Sequence, residues 1–371
     1  MRRRAVTGGN GRLTLAAPPP DPFGEREPAA WCERVQLLGG HFDFETDSRR
    51  LLRIVRAAYA NLPAHTLADV APRFRVQLTL APGSPRGPVS LAAEEPPPVS
   101  ALAGDGILCG AMHGASFVSL NAQRRSALLV IARDMLRYSY HIRYELLEFA
   151  VYVLAARVQG LVPLHAACLG QQGEGLLLMG PSGAGKSTVV LQGLLAGLDF
   201  LAEDSVLVKP QGLLASGVAN FVHVRRDSLH FLTRAQRAAL LRKSCVIRRR
   251  SGVEKLEIDP RGSHYHLAPA PLRIRAALFL SARRGRGHSL LTPLSTSSVL
   301  ERLAASQRYA ANQPSWSAFR EQIAQLQGYE LRRGIHPRDA LEALRELLAG
   351  PRAPAARAQP QPAVAPQAPG S

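Results

Sequence analysis

Residues 180–188 read Gly-Pro-Ser-Gly-Ala-Gly-Lys-Ser-Thr and match G-x-x-x-x-G-K-S, the phosphate-binding loop of nucleoside triphosphate enzymes. Glycines let the backbone curl so that several N–H groups point inward at a phosphate, which a Cβ would obstruct. Lys186 supplies a charge for the β- and γ-phosphates, and the Ser187 hydroxyl can ligate the Mg²⁺ that bridges them. The sequence therefore predicts a site for ATP and Mg²⁺. The predicted nucleotide-binding residues are Gly180, Ser182, Gly183, Ala184, Gly185, Lys186, Ser187 and Thr188.

The flanks of this loop favour that interpretation over a glycine-rich turn with a chance Lys-Ser pair. Leu176–Met179 is a short apolar run, typical of a buried strand. After the loop, apolar residues keep helical spacing over 189–195 until Gly197 ends the helix. The positive end of that helix, near Thr188, would face the same phosphates. This order of strand, loop and helix predicts an α/β domain.

Two further signals lie at fixed separations from the loop. Asp204 follows Lys186 by eighteen residues, in an apolar stretch that we expect to be the strand next to the loop strand. A carboxylate there can hold the Mg²⁺ shell or take a proton from an attacking hydroxyl; a surface charge at a strand end is the alternative for Glu203 or Asp204. His165 precedes Lys186 by twenty-one residues in another apolar stretch, where a hydrogen-bonded core histidine is the alternative to a catalytic one.

His165, the loop and the acidic pair together resemble the HPr kinase/phosphorylase family of bacterial serine kinases. That family carries a histidine, a G-x-S-G-x-G-K-S loop and an A-D-D strand in this order and at matching separations. Here the sequence reads P-L-H-A-A, G-P-S-G-A-G-K-S and L-A-E-D-S-V. The resemblance covers about residues 160–210 well and the rest to about 350 loosely. It implies an α/β fold with a P-loop kinase domain of the HPr kinase/phosphoenolpyruvate carboxykinase type.

The resemblance also implies roles for individual residues. Lys186 would contact the phosphates of ATP, and Ser187 the Mg²⁺. Asp204 would act as the base that deprotonates the acceptor serine. His165 would help to position the base or the transferring phosphoryl group. The catalytic residues expected on this basis are Asp204, His165 and Lys186.

The chain departs from the family pattern at several positions. The acidic pair is Glu-Asp instead of Asp-Asp, and Thr188 stands where the family's loop usually has an acidic residue. The family has a metal-binding glutamate before an Arg-Gly, whereas the nearest segment here offers His223. Glu203 is the expected substitute, so the predicted metal ligands are Ser187 and Glu203. An arginine implicated in family catalysis corresponds to one of residues 248–250, for which a solvated basic loop is the alternative.

The chain divides into four predicted segments. They are a flexible N-terminus over 1–28, a small α/β N-terminal module over 29–140, the P-loop kinase domain over 141–350 and a disordered Pro/Ala/Gln tail over 351–371. In the module, strands are predicted at Val35–Phe44, Arg73–Leu80, Ala115–Leu120 and Ala127–Ile131, a helix at Arg49–Ala60 and a loop at Ala81–Gly104. In the domain, strands are predicted at Leu161–Leu169, 200–208, Phe221–Val224, Leu272–Leu280 and Tyr329–Arg332, and helices at Ile142–Gln159, Ser298–Ser306, Ser315–Gln327 and Pro337–Leu348.

The composition excludes some classes of protein. The formal charge of +18 comes almost wholly from arginine, and heavy use of Ala, Gly and Pro indicates a GC-rich genome as much as selection for a polyanion. Nucleic acid is therefore not the expected partner, although an acidic partner remains the alternative. The four cysteines form no C-x-x-C pair, which argues against a disulfide framework or zinc site. Neither a secretory signal nor an apolar run of eighteen residues occurs, so we expect a cytoplasmic protein without membrane spans.

Two functions remain open. The first is an ATP- and Mg-dependent kinase that phosphorylates a Ser or Thr hydroxyl of a protein or peptide; HPr itself is not expected, because the N-terminal module does not match the family's. The alternative is a nucleotide-binding regulatory or scaffolding protein without phosphotransfer. A motor-type ATPase is disfavoured, because its signature motifs are not evident. The sequence leaves open whether the chain forms a homo-oligomer.

Overall fold

In the computed structural model, the described residues form a mixed α/β fold with three sheets of seven, nine and three strands. The described residues are 29–82, 99–104, 106–112, 116–262, 264–285 and 290–350. The predicted flexible N-terminus, 1–28, and the predicted tail, 351–371, lie outside them.

The first sheet is built from the N-terminal part of the chain. Its strands are β1 (Trp31–Leu37), β2 (Gly40–Thr46), β3 (Arg73–Ala81), β4 (Val99–Gly104), β5 (Ile107–Met112), β6 (Ser116–Asn121) and β7 (Ser126–Ala132). They are ordered β1-β2-β3-β7-β6-β5-β4, and β3 is parallel to both β2 and β7. Helix α1 (Arg49–Tyr59) follows β2, and the Ser48 side chain caps it by accepting a hydrogen bond from the Leu51 N–H.

Two predictions in this region are wrong. The predicted strand at Val35–Phe44 is a hairpin, because the chain reverses at Leu38 (φ 50°) and Gly39 (φ 82°). A Cβ on Gly39 would lie 2.8 Å from the Gln159 side chain, so the turn requires glycine. Of the predicted loop at Ala81–Gly104, residues 83–98 lie outside the described residues, and Val99–Gly104 form a strand, β4, which pairs with β5. The other strands and α1 are confirmed within one or two residues at each described end.

A helical run joins the first sheet to the second. It consists of a 3₁₀ segment (Arg133–Tyr138), α2 (Ser139–His141), a π-helical segment (Ile142–Leu147) and α3 (Glu148–Gln159). The predicted helix is confirmed, but its first six residues are π-helical. Such wide turns often occur at functional sites, and this one carries side chains that reach the site described below.

The remaining strands form the second and third sheets. They are β8 (Val162–Leu164), β9 (Ala167–Gln171), β10 (Glu174–Met179), β11 (Asp199–Ala202), β12 (Val206–Lys209), β13 (Leu214–Gly217), β14 (Val222–Val224), β15 (Ser244–Arg248), β16 (Glu254–Ile258), β17 (Leu272–Arg284), β18 (Leu291–Leu294) and β19 (Gly328–Arg333). Strands β14, β16 and β15 form the three-stranded sheet, and the others form the nine-stranded sheet. The helices are α4 (Lys186–Leu195), α5 (Arg234–Arg242), α6 (Thr296–Ser306), α7 (Arg308–Ala311), α8 (Trp316–Ile323) and α9 (Asp339–Ala349).

The strand before the glycine-rich loop, β10, lies inside the nine-stranded sheet and is buried throughout. It pairs with β9 antiparallel and with β17 parallel, and β17 is parallel to β19 on its other side. The carboxyl ends of β10, β17 and β19 therefore lie at one edge of the sheet. In open α/β sheets this edge is where ligands bind.

Two predicted strands near the site are each broken into two. The predicted strand at Leu161–Leu169 becomes β8, which pairs with β12, and β9, which pairs with β10. The predicted strand over 200–208 becomes β11 and β12, with Glu203 and Asp204 between them. Its first part pairs with β9, so the expectation that it runs next to the loop strand is wrong. The later strands and helices are confirmed with shifted ends, and α8 ends earlier than predicted, at Ile323.

The first two sheets share a hydrophobic core. Leu207 and Val218 from the second part of the chain are buried in the same cluster as residues from β2, β3 and α3. Buried His65 joins the two parts, because its Nδ1 lies 2.8 Å from Ser216 Oγ and its Nε2 3.0 Å from the Ala268 carbonyl oxygen. Among the described residues, no helix is long and apolar enough to cross a membrane.

Candidate functional site

The glycine-rich loop joins the buried strand β10 to helix α4, in the order that the sequence predicts. Gly183 (φ 81°) and Gly185 (φ 103°) adopt the left-handed backbone conformation that favours glycine. A Cβ placed on either would have no heavy atom within 4 Å. The space above the loop is therefore open. Helix α4 begins at Lys186, so its positive end faces that space.

Lys186, Asp204 and His165 meet at this loop. The Lys186 ammonium donates to Asp204 Oδ1 at 2.9 Å and lies 3.3 Å from His165 Nε2. His165 Nδ1 lies 3.4 Å from the same oxygen of Asp204. Burial favours a raised pKa for Asp204, but the charge of Lys186, followed by that of His165, lowers this pKa well below its usual range. Asp204 is therefore ionised.

The backbone of His165 is held by a side chain and not by a strand partner. Gln307 Oε1 accepts from the His165 N–H at 2.7 Å, and Gln307 Nε2 donates to the His165 carbonyl at 3.2 Å. Gln307 is itself buried. This replacement of sheet hydrogen bonds explains the break between β8 and β9, and it leaves the His165 ring exposed beside Asp204.

Ser187 and Glu203 form a second pair on the other side of the loop. The Ser187 hydroxyl donates to Glu203 Oε1 at 2.5 Å. The other oxygen, Glu203 Oε2, lies 3.2 Å from the backbone nitrogen of His223 and 3.0 Å from its Nδ1. Glu203 and Asp204, although adjacent in sequence, thus contact adjacent residues of the loop, Ser187 and Lys186. Their position between two strands permits this.

A buried chain of charges continues behind Glu203. His223 Nε2 lies 2.9 Å from Glu257 Oε2, and Arg143 donates to Glu257 from both terminal nitrogens. Burial lowers the pKa of His223, but its bonds to Glu203 and Glu257 outweigh burial and raise it. Burial likewise opposes ionisation of Glu257, whose pKa is nevertheless lowered by His223 and then by Arg143. Each ring nitrogen of His223 thus faces a carboxylate, an arrangement that favours the protonated form.

Tyr144 and Arg249 cover the far side of Asp204. The Tyr144 hydroxyl donates to Asp204 Oδ2 at 3.2 Å, and Arg249 Nη1 lies 3.9 Å from the same oxygen. Nε and Nη2 of Arg249 are buried without a hydrogen-bond partner in the described part of the chain. Of the three arginines at 248–250, Arg249 is thus the one that approaches the site; Arg250 pairs with Glu145.

Several residues at the site were missed by the sequence analysis: Arg143, Tyr144, Lys255, Glu257 and Gln307. Lys255 lies near enough to Glu203 for that charge to act on its pKa, which burial lowers. Two of them could have been found from the sequence, because Arg143 and Tyr144 are polar residues at the start of a helix whose later turns are apolar. The other three come from distant segments that only the fold brings together.

The residues present fit a magnesium nucleotide better than a metal held by protein alone. The described residues contain no group of three or more His, Cys, Asp or Glu side chains that could hold a metal ion. Ser187 and Glu203 offer two oxygen ligands beside an open, glycine-lined space. Mg²⁺ usually takes one or two such ligands and completes its shell with water and substrate phosphates.

Three further loop residues form hydrogen bonds within the described part of the chain. The Ala184 N–H donates to the Pro181 carbonyl at 3.1 Å, so it is directed within the loop. The Thr188 hydroxyl lies 2.9 Å from the Ser228 hydroxyl. Gly183 accepts at its carbonyl from Arg333 at 2.8 Å, which ties the loop to the end of β19.

No protein-family model matches the sequence, and no curated protein matches it. Among solved structures, the chain is similar to the HPr(Ser) kinase/phosphatase from Coxiella burnetii. The identity is 14% and the TM-score is 0.27, and the match covers 50% of this chain and 92% of that chain.

Proposed function

We propose that the chain is an ATP- and Mg-dependent kinase of the P-loop, HPr kinase-like type that phosphorylates a Ser or Thr hydroxyl of a protein or peptide in the cytoplasm. The observation that carries this proposal is the pair of adjacent carboxylates at the loop. Asp204 contacts Lys186, and Glu203 contacts Ser187. One carboxylate is thereby available to a metal and the other to a proton.

Bound Mg-ATP would supply the phosphoryl group and neutralise part of its charge. Lys186 and the N–H groups of the loop would bind the phosphates, while Ser187 and Glu203 would hold the metal side. A carboxylate with a strongly lowered pKa is a poor base. When Lys186 turns towards the phosphates, Asp204 loses its nearest positive charge, so its pKa rises and it becomes better able to accept the proton of the acceptor hydroxyl.

The arginine-rich surface would suit an acidic acceptor, since the net charge is +18. The alternative is a nucleotide-binding regulatory or scaffolding protein without phosphotransfer. It is favoured by the contact between Lys186 and Asp204, which leaves the lysine neutralised by an internal partner.

The substitution Asp204→Asn separates the two functions, because Asn keeps the size and most hydrogen bonding but cannot accept the proton. We expect phosphotransfer from γ-labelled ATP to an array of acidic Ser- and Thr-containing peptides to fall about 10²–10⁴-fold. ATP affinity, measured by calorimetry, should stay within a few fold. Asp69→Asn, an exposed site in the first sheet's region, is the matched control. If wild-type protein binds ATP but labels no acceptor, and Asp204→Asn changes nothing measurable, the regulatory function is favoured.

A further inference from the structure

A cleft of about 580 Å³ lies beside the glycine-rich loop. It is bounded by the ends of β17 and β19 and by helix α9, at the edge of the sheet where the parallel strands end. Leu290, Leu291 and Ile335 give it apolar walls, and Arg333, Glu342 and Glu346 give it a polar rim. The proposed kinase chemistry uses none of these side chains.

The side chain of Arg333 connects the cleft to the glycine-rich loop. Arg333 lines the cleft and donates to the Gly183 carbonyl at 2.8 Å. Gly183 is also a residue whose Cα faces open space. A molecule with its phosphates above the loop would therefore have the cleft as a direct continuation of its binding site.

The apolar part of the cleft includes an unusually exposed side chain. Ile335 is 99% exposed and lies two residues beyond Arg333 at the end of β19, whereas Leu290 is buried. A planar base placed between them would cover Ile335 and remove apolar surface from water, which stabilises binding.

The polar part offers hydrogen-bond acceptors without partners. Glu342 and Glu346 are exposed, four residues apart on α9, and neither carboxylate forms a hydrogen bond or ion pair with the described part of the chain. Like charges at this spacing repel and destabilise a helix. Asp339 differs, because its carboxylate accepts from the His336 N–H at 2.9 Å. Free carboxylates at such an edge can accept from ribose hydroxyls, while they repel phosphate.

We propose that this cleft binds the nucleoside part of the nucleotide, with the base against Ile335 and Leu290 and the ribose hydroxyls on Glu342 and Glu346. The inference rests on the proposed function, because it takes the phosphates to lie above the glycine-rich loop. Contacts between the cleft and the nucleoside would add to the affinity, so that a bare polyphosphate binds more weakly than ATP.

The test compares ATP with inorganic tripolyphosphate, each titrated with Mg²⁺ into the full chain by calorimetry. We expect wild-type protein to bind ATP about 10- to 100-fold more tightly, the effect of one buried apolar contact plus hydrogen bonds. The triple variant Ile335→Ser, Glu342→Ala, Glu346→Ala should lose most of this advantage without weakening tripolyphosphate binding, because the two carboxylates only repel phosphate. Val70→Ser with Glu301→Ala, which changes an exposed aliphatic residue and an exposed glutamate elsewhere, is the control.

The outcomes separate the two proposals. If neither ligand binds wild-type protein, the glycine-rich loop does not bind phosphates, and both the proposed function and the cleft assignment fail. If both bind equally well, or if the triple variant weakens both equally, the cleft does not hold the nucleoside and the phosphate site stands. The substituted residues are exposed, so an unchanged melting temperature verifies that the variant is folded.

Discussion

Lys186 is the residue on which the nucleotide site depends most directly, because its ammonium contacts both Asp204 and His165. We expect Lys186→Ala to weaken Mg-ATP binding about 10- to 10²-fold, the effect of one lost hydrogen bond to a charged group. A second lysine, Lys255, is close enough to interact with Lys186. Exposed Lys243→Ala is therefore the control, and calorimetry is the measurement. Unchanged ATP affinity in Lys186→Ala would contradict the assignment of the loop.

Gly185 allows the backbone of the loop to be tested separately from its charges. Alanine at φ 103° is strained, and we expect Gly185→Ala to lower the free energy of unfolding by about 1–2 kcal/mol. Gly197→Ala should cost a similar amount, because Gly197 has φ 79° and its Cβ would also meet open space, but it lies at the far end of α4. Only Gly185→Ala should weaken ATP binding, since its Cβ would enter the space above the loop. Equal ATP affinities in the two variants would show that this space is not the phosphate site.

At the scale of elements, the features that could be predicted from the sequence are those formed by residues close together in the chain. The order of strand, loop and helix around residues 180–188 could be predicted, because each part has its own pattern over a few residues. The break before Glu203 could not, because apolar residues continue on both sides of it and the strand partners are distant. Glu257 meets His223 across 34 residues of chain and Arg143 across 114 residues, so no window of sequence contains the buried network.

Arg143 connects the π-helical segment to β16 through Glu257, and removing it leaves a buried carboxylate with one partner fewer. We expect Arg143→Ala to lower the free energy of unfolding by about 3–5 kcal/mol at pH 7, as for other broken buried pairs. Arg34→Ala, which breaks the exposed pair with Asp43, should cost about 0–1 kcal/mol. Denaturant titration measures both. Equal small losses would show that the buried network adds nothing to stability.

The loss of stability caused by Arg143→Ala should depend on pH. The pKa of Glu257 is lowered in the folded chain, in part by Arg143. A lowered pKa gives stability that is present above the unfolded value, about 4.5, and that is lost as pH falls through the folded value. The difference between wild-type and Arg143→Ala proteins should therefore be largest above about pH 5 and shrink on acidification. A difference that stays constant from pH 7 to about pH 3 would exclude Glu257 as its source.

At the scale of the whole molecule, the first sheet and the nine-stranded sheet are joined by more than a chain connection. They share a core that includes Leu207 and Val218. Arg261 also donates to the backbone carbonyls of Ala57, Ala58 and Ala60 at the end of α1. Carbonyls at the end of a helix lack partners within the helix, and here the Arg261 guanidinium, from a distant part of the sequence, stabilises them. The π-helical segment lies between the two sheets and carries Tyr144 to Asp204 and Arg143 to Glu257. The helical run that follows the first sheet thus positions two side chains of the site.

The division at residue 140 stays a prediction, and the shared core indicates how to test it. We expect residues 29–350 to unfold in one cooperative transition, because separation of the two sheets would expose the common core to water. For the same reason, residues 141–350 alone should lack a cooperative transition and bind ATP poorly, since Leu207, Val218 and Ser216 lose their partners. Circular dichroism on heating and calorimetry with ATP measure the two effects. Removal of 1–28 is the matched control for shortening the chain. A fragment 141–350 that melts cooperatively and binds ATP as well as the full chain would show that the site is complete without the first sheet.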